Sequence, residues 1–152
     1  MRVEIRNTVR GNLGAQLMLR AAVDHLRGAA DDVTFAVAQR CATPDTRREL
    51  RLDLFPWVSS FQTHADLLAR LLPPLHPRGL VRAADIDLIL DASGFAYGDS
   101  WGPRNARLAA AYFGRQKQRG ARIILLPQAF GPFEQEPLRV AFAEVLALAD
   151  LV

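Results

Sequence analysis

Lysine is nearly missing from this chain: Lys117 is the only one, so arginine carries almost all of the positive charge. The excess over acidic residues is only +3, spread along 152 residues, and no nucleic-acid partner is expected from so thin a basic balance. Arginine in that role suits bidentate recognition of carboxylate or phosphate on small ligands, or reflects a composition bias shared with the many alanines. Cysteine is as scarce. Cys41 stands alone, which excludes an internal disulfide and a cysteine-built metal site. The histidines His25, His64 and His76 lack ligand spacing, so no metal is expected. No apolar run approaches the ~20 residues of a transmembrane segment, and no signal peptide precedes the first strand. The expected location is therefore the cytoplasm. Internal repeats and low-complexity tracts are absent as well.

What remains is an ordinary globular composition, 50% apolar and 23% charged, in a length that suits one domain over residues 1–152. Residues 2–7 alternate around Val3 and Ile5 and read as a first strand. Residues 8–14, with two glycines and an asparagine, carry turn chemistry. Residues 13–27 read as an amphipathic helix, with Gln16, Arg20, Asp24 and Arg27 on the polar face. Leu13, Leu17, Met18, Ala21 and Ala22 form its expected apolar face, and Gly28 its expected end. Residues 33–38 give a second strand, completing a βαβ outline.

Leu50, Leu52 and Leu54 alternate with Arg51 and Asp53, as in a strand near a sheet edge, and Pro56 stops it. A helix is expected over residues 63–72, and Pro73, Pro74 and Pro77 make a stiff connector after it. Residues 86–90 read as another buried strand, and residues 105–119 as a helix entered through Pro103 and closed by Gly120. Residues 122–126, RIILL, form a short aliphatic run with the pattern of a central parallel strand buried on both faces. A last helix places Leu138, Phe142 and Val145 on one stripe. Leu151 and Val152 then read as the start of one more strand, so the chain is expected to be half of a longer protein. The fold class is α/β with a mostly parallel sheet.

If the crossovers are right-handed, the loops at residues 8–14, 91–102 and 127–133 leave strands on one rim. Ligands of open α/β sheets bind at such rims. Glycines there let backbone N–H groups approach a ligand, and helix N-termini favour phosphate or carboxylate. The same glycines also serve as plain turns. Gly11-Asn12-Leu13-Gly14 matches neither the dinucleotide nor the P-loop fingerprint. Its G-x-x-G also occurs in RNA-binding KH domains, but the long α/β pattern opposes that reading. Asp91, at a strand end, is the better carboxylate candidate for a site role, with a cap or turn bond as the plain alternative. Tyr97 and Trp101 either line a pocket or seal the loop against the core.

Leu126 to Phe133, LPQAFGPF, resembles the LPQSxGPF segment of polysaccharide pyruvyl transferases, which also follows a strand of an N-terminal Rossmann-like domain. Asn12-Leu13-Gly14-Ala15-Gln16 resembles that family's N-x-G-D-E/A loop, and Leu88 to Phe95, LILDASGF, its strand and GGG loop. Ala15 replaces an acidic residue, and the glycine triplet is reduced to Ser93-Gly94. The resemblance implies a three-layer αβα Rossmann-like domain, one half of a GT-B-like two-domain architecture. It implies transfer of a pyruvyl group from phosphoenolpyruvate to a sugar hydroxyl of a polysaccharide precursor, with release of phosphate and no cofactor. The substrate-binding candidates are Asn12, Gly14, Ser93, Gly94, Gln128 and Gly131, on the acceptor side of the cleft. The basic residues for phosphoenolpyruvate, and the catalytic groups, are expected from a C-terminal domain or partner chain. A GT-B nucleotide-sugar glycosyltransferase and a non-catalytic α/β binding module are the alternatives, the latter fitting Ala15 and the thinned glycines. A flavodoxin- or response-regulator-like domain lacks the acidic cluster and lysine it would need.

Overall fold

Strands and helices alternate along the chain as a series of right-handed βα units would require. The structure is a computed structural model that describes residues 1–55 and 81–152. Its elements are β1 (Arg2–Arg6), α1 (Leu13–Ala29), β2 (Thr34–Ala38), α2 (Pro44–Glu49) and β3 (Leu52–Phe55). Beyond the connector come β4 (Leu88–Asp91), α3 (Pro103–Gln118), β5 (Arg122–Leu125) and α4 (Glu136–Leu148). The helix expected over residues 63–72 and the proline connector lie outside the described residues.

The sheet is wholly parallel, in the order β3-β2-β1-β4-β5. The order reverses beside β1, where the chain leaves β3 and returns on the other side as β4. Two apolar cores flank the sheet. Val3, Ile5, Phe35, Val37 and Leu90 pack under α1 with Leu19 and Val23. On the opposite face Ile89, Ile123 and Leu125 pack under α3 and α4 with Phe113, Leu138 and Phe142. Three layers result, an αβα domain of Rossmann-like type.

Three sequence expectations need correction. Residues 122–126 do not form the central strand: β5 is the last full strand of the ladder, and β1 is the centre. The aliphatic run is nonetheless covered, because Leu151 pairs in parallel with Ile124 and accepts from the Leu125 N–H at 2.9 Å. The face of α1 is the second correction. Leu13 and Leu17 are exposed, and the helix seats Leu19 and Val23 instead, with Ala22 and Leu26 half-buried beside them. Third, Gly28 does not end α1, which runs to Ala29 and stops at Ala30. Residues 44–49 carried no sequence expectation: their Thr43 cap and Pro44 start give the short helix α2, which has no apolar stripe. The edge expected for residues 50–55 is where β3 lies.

Candidate functional site

β1, β4 and β5 deliver their C-terminal ends to one rim, and the loops that leave them are bound together there. The loops after β4 and β5 meet backbone to backbone. Gly131 N–H donates to Tyr97 O at 3.1 Å and Asp99 N–H to Pro132 O at 3.1 Å. A Cβ on Gly98 would stand 2.6 Å from Gly131 O, so only glycine fits that crossing. Gly131 itself has φ +93, a left-handed conformation that a side chain would strain. Asp99 then accepts from the Glu134 and Gln135 N–H groups at 2.7 and 3.2 Å, capping the entry to α4 from a neighbouring loop.

Asp91, the last residue of β4, is the centre of the cluster and is fully buried. Ser93 Oγ donates to its Oδ1 and Tyr97 Oη to its Oδ2. Asn7, at the end of β1, donates Nδ2 to Ser93 Oγ at 2.7 Å and more distantly to Asp91 Oδ1 at 3.4 Å. Arg40, beyond β2, donates to Asn7 Oδ1 at 2.9 Å. That contact fixes the Asn7 amide, since its oxygen must face the guanidinium and its nitrogen Ser93. Asn7 has φ +62, a conformation asparagine adopts more readily than most residues. Gln128, beyond β5, donates Nε2 to the Asp91 main-chain oxygen at 3.4 Å. Its Oε1 is buried and has no partner among the described residues.

Behind Asp91 lies a charged core. Arg6 is its register partner on β1, and Glu4 precedes Arg6 on the same face. Both are buried. The Arg6 guanidinium lies over the Tyr112 ring, 4.3 Å from its centre, and Tyr112 Oη donates to Glu4 Oε2. Gln116 supports Tyr112 at 3.1 Å and donates to Ala83 O at 2.8 Å. Burial pushes the Glu4 carboxyl up, with Arg6 and the Tyr112 hydroxyl opposing and Asp91 adding to the rise. Burial also opposes charge on Arg6, but Glu4 and Asp91 outweigh it and hold the guanidinium firmly protonated. Tyr97 and Tyr112 are pushed well above the ordinary tyrosine value, first by burial and then by Asp91 and Glu4 respectively. Both phenols are therefore donors, not bases.

Of the residues singled out in the sequence, Ser93 and Gln128 meet at Asp91, and Gly131 is tied to the same loops through Tyr97. Gly94 opens the 3-10 turn Gly94–Ala96 that carries Tyr97 into place. Asn12 and Gly14 are elsewhere in role: Asn12 Oδ1 accepts from Ala15 N–H at 3.1 Å and caps α1, and Gly14 sits in that first turn. Tyr97 seals the loop against the core, whereas Trp101 is exposed. Cys41 is buried, and its main-chain oxygen accepts from Gln16 at 2.9 Å, tying the first loop to β2. His25 lies exposed on α1, and the other two histidines fall outside the described residues. Among the described residues no three metal-ligating side chains cluster, and no helix is long and apolar enough to cross a membrane. Sequence reasoning missed Asn7, Arg6, Glu4 and Arg40. An asparagine at the end of a strand, able to take the left-handed turn, was the one signal pointing to Asn7.

Fold and rim together define a Rossmann-like α/β domain with a polar rim at the switch in strand order, where open α/β sheets in general bind their ligands. The chain matches the family model described as polysaccharide pyruvyl transferase over residues 12–152. It belongs to that family, whose members are transferases. No curated protein and no solved structure matches it.

Proposed function

We propose that this domain binds the sugar acceptor of a pyruvyl transfer from phosphoenolpyruvate, forming a ketal on a polysaccharide precursor and releasing phosphate. The observation that carries this reading is the buried Gln128 Oε1, without a partner among the described residues, on a side chain that bonds Asp91 at the rim. A buried acceptor without a donor costs free energy that a ligand O–H would recover. Ser93 offers a second such acceptor. Its proton goes to Asp91, with Tyr97 Oη a weaker acceptor at 3.3 Å, and one lone pair goes to Asn7, which leaves the other for a ligand. Two acceptors anchored on one residue suit a sugar diol, which is what ketal formation consumes. Ser93, Gly94, Gln128 and Gly131 make the wall of the acceptor site, and Asn12 and Gly14 hold the helix start beside it.

Residues 1–152 act as one domain, facing a second domain in a GT-B-like cleft in the cytoplasm. That opposite wall supplies the cations for the carboxylate and phosphate of phosphoenolpyruvate. The test is phosphate release by the full-length protein supplied with phosphoenolpyruvate and sugars bearing free diols, with the ketal read by NMR. Turnover is expected only with both substrates. Stabilisation by a nucleotide sugar with no phosphate release from phosphoenolpyruvate would overturn the reading. Turnover by residues 1–152 alone would overturn the assignment of the second wall.

A further inference from the structure

Catalysis of this transfer requires that a neutral sugar hydroxyl lose its proton as it attacks, and the rim holds an arrangement for taking it. We propose that Ser93 is the catalytic hydroxyl that accepts the acceptor's proton, with Asp91, Asn7 and Arg6 as the residues that position and polarise it. The proposal rests on the pyruvyl-transfer reading and adds to it the route of the proton.

The geometry is directional. Ser93 Oγ donates toward Asp91 Oδ1, so a carboxylate already holds the far side of the hydroxyl proton. Asn7 Nδ2 occupies one lone pair at 2.7 Å, and Arg40 on Asn7 Oδ1 at 2.9 Å prevents the amide from turning over. Tyr97 Oη, 3.3 Å from Ser93 Oγ, is a weaker second acceptor for the same proton, and the remaining lone pair is the one the proposal gives to the ligand. Asp91 is itself held from below: Tyr97 binds Oδ2, and Arg6 faces it across the β1–β4 register.

In the step itself the acceptor O–H bond breaks, and its electron pair forms the bond from oxygen to C2 of the pyruvyl group. The proton passes to Ser93 Oγ while the Ser93 proton moves to Asp91 Oδ1. The methylene carbon of phosphoenolpyruvate takes one proton from an acid on the opposite wall. When the second hydroxyl closes the ketal, phosphate leaves with the C–O bond pair and the second proton. Asp91 then returns its proton to solvent through Ser93.

Steady-state kinetics of the full-length Ser93→Ala and Ser93→Thr variants test this. Ser93→Ala should lower kcat by about 10²–10⁴, the usual size of a proton-transfer contribution. The KM for phosphoenolpyruvate should stay within about twofold, since Ser93 touches the sugar acceptor and not phosphoenolpyruvate. Ser93→Thr, which keeps a hydroxyl, should recover most of the rate. Asp91→Asn should match the Ser93→Ala loss, provided circular dichroism shows it folded. A Ser93→Ala enzyme with kcat near wild type, or a Ser93→Thr enzyme as slow as Ser93→Ala, would overturn the relay while wild-type turnover upheld the transfer. Absence of phosphate release by the wild-type protein would instead remove the pyruvyl-transfer reading on which the relay rests.

Discussion

The two faces of β1 make unlike cores from one strand of five residues. Val3 and Ile5 point into a core under α1 that is apolar throughout, with Phe35, Val37, Leu19 and Val23 around them. Glu4 and Arg6 point the other way, under α3, where they bury a salt bridge beside Tyr112 and reach Asp91 at the rim. The first face does what a core needs to do, removing aliphatic surface from water. The second carries a cost. Buried ion pairs seldom stabilise more than well-packed apolar residues of similar volume would. A fold under selection for stability alone would have two faces like the first. The charged face runs from the middle of the sheet to Asp91, so its cost is best understood as orientation of the rim.

Breaking the charged face should therefore have the largest effect. Arg6→Met would leave Glu4 and Asp91 buried with no guanidinium between them, and should destabilise by about 3–5 kcal/mol. Urea denaturation measures it, and adding Glu4→Gln should restore part of the loss, because the buried carboxyl that Arg6 paired with is then gone. A fully additive double variant would mean that Glu4 and Arg6 do not interact. On the apolar face, Ile5→Ala should cost about 2–5 kcal/mol by transfer and cavity terms. That loss should be the same with or without Glu4→Gln. Coupling between Ile5 and Glu4 would erase the separation of the two faces.

Acidity distinguishes the faces more gently. Burial raises the Glu4 carboxyl above its ordinary 4.5. The native state then holds a proton that the unfolded chain has released, so this group's stabilising contribution is complete below 4.5 and is lost as pH rises through the native value. Glu49, Asp85 and Asp150 act in the opposite sense. Each is held below its ordinary value, first by a side-chain bond to Arg20, Arg82 or Lys117, and its contribution is lost as pH falls. Comparing wild type with Glu4→Gln across the mildly acid range isolates the Glu4 slope. The difference in stability should shift in favour of Glu4→Gln as pH rises, and an unchanged difference would mean that folding does not raise the Glu4 carboxyl.

Much of the fold was legible because βα alternation is written locally, in short aliphatic runs closed by glycine and proline. Strand order is not local. The run at residues 122–126 looks like a centre because it is covered on its faces, and nothing in it tells that β1 passes through the middle instead. Leu13 and Leu17 misled for a related reason: on α1 they make as good a stripe as Leu19 and Val23, and only the sheet decides which is seated. At the site, Ser93 and Gln128 were legible through their motifs. Glu4 and Arg6 were not, because in Arg2–Arg6 a Val–Glu–Ile–Arg alternation reads as one buried and one wet face. Their burial is set by Tyr112, 108 residues away, and by the helix that carries it.

Gln128 lies where the two kinds of core end, and its replacement should affect stability least. Its side chain holds only a long 3.4 Å bond to Asp91 O, and its Oε1 has no partner among the described residues. Gln128→Ala removes a buried acceptor that nothing satisfies, so folding should change by no more than about 0.5 kcal/mol in either direction. Binding should respond differently. A hydrogen bond to a sugar O–H contributes about 0.5–1.5 kcal/mol, so acceptor affinity measured by calorimetry should fall by about twofold to tenfold. Gln128→Glu keeps the acceptor but places a charge beside Asp91, and should bind acceptor no better than Gln128→Ala. Large destabilisation with unchanged sugar affinity would make Gln128 part of the loop's scaffold, leaving Ser93 as the only ligand contact at this rim.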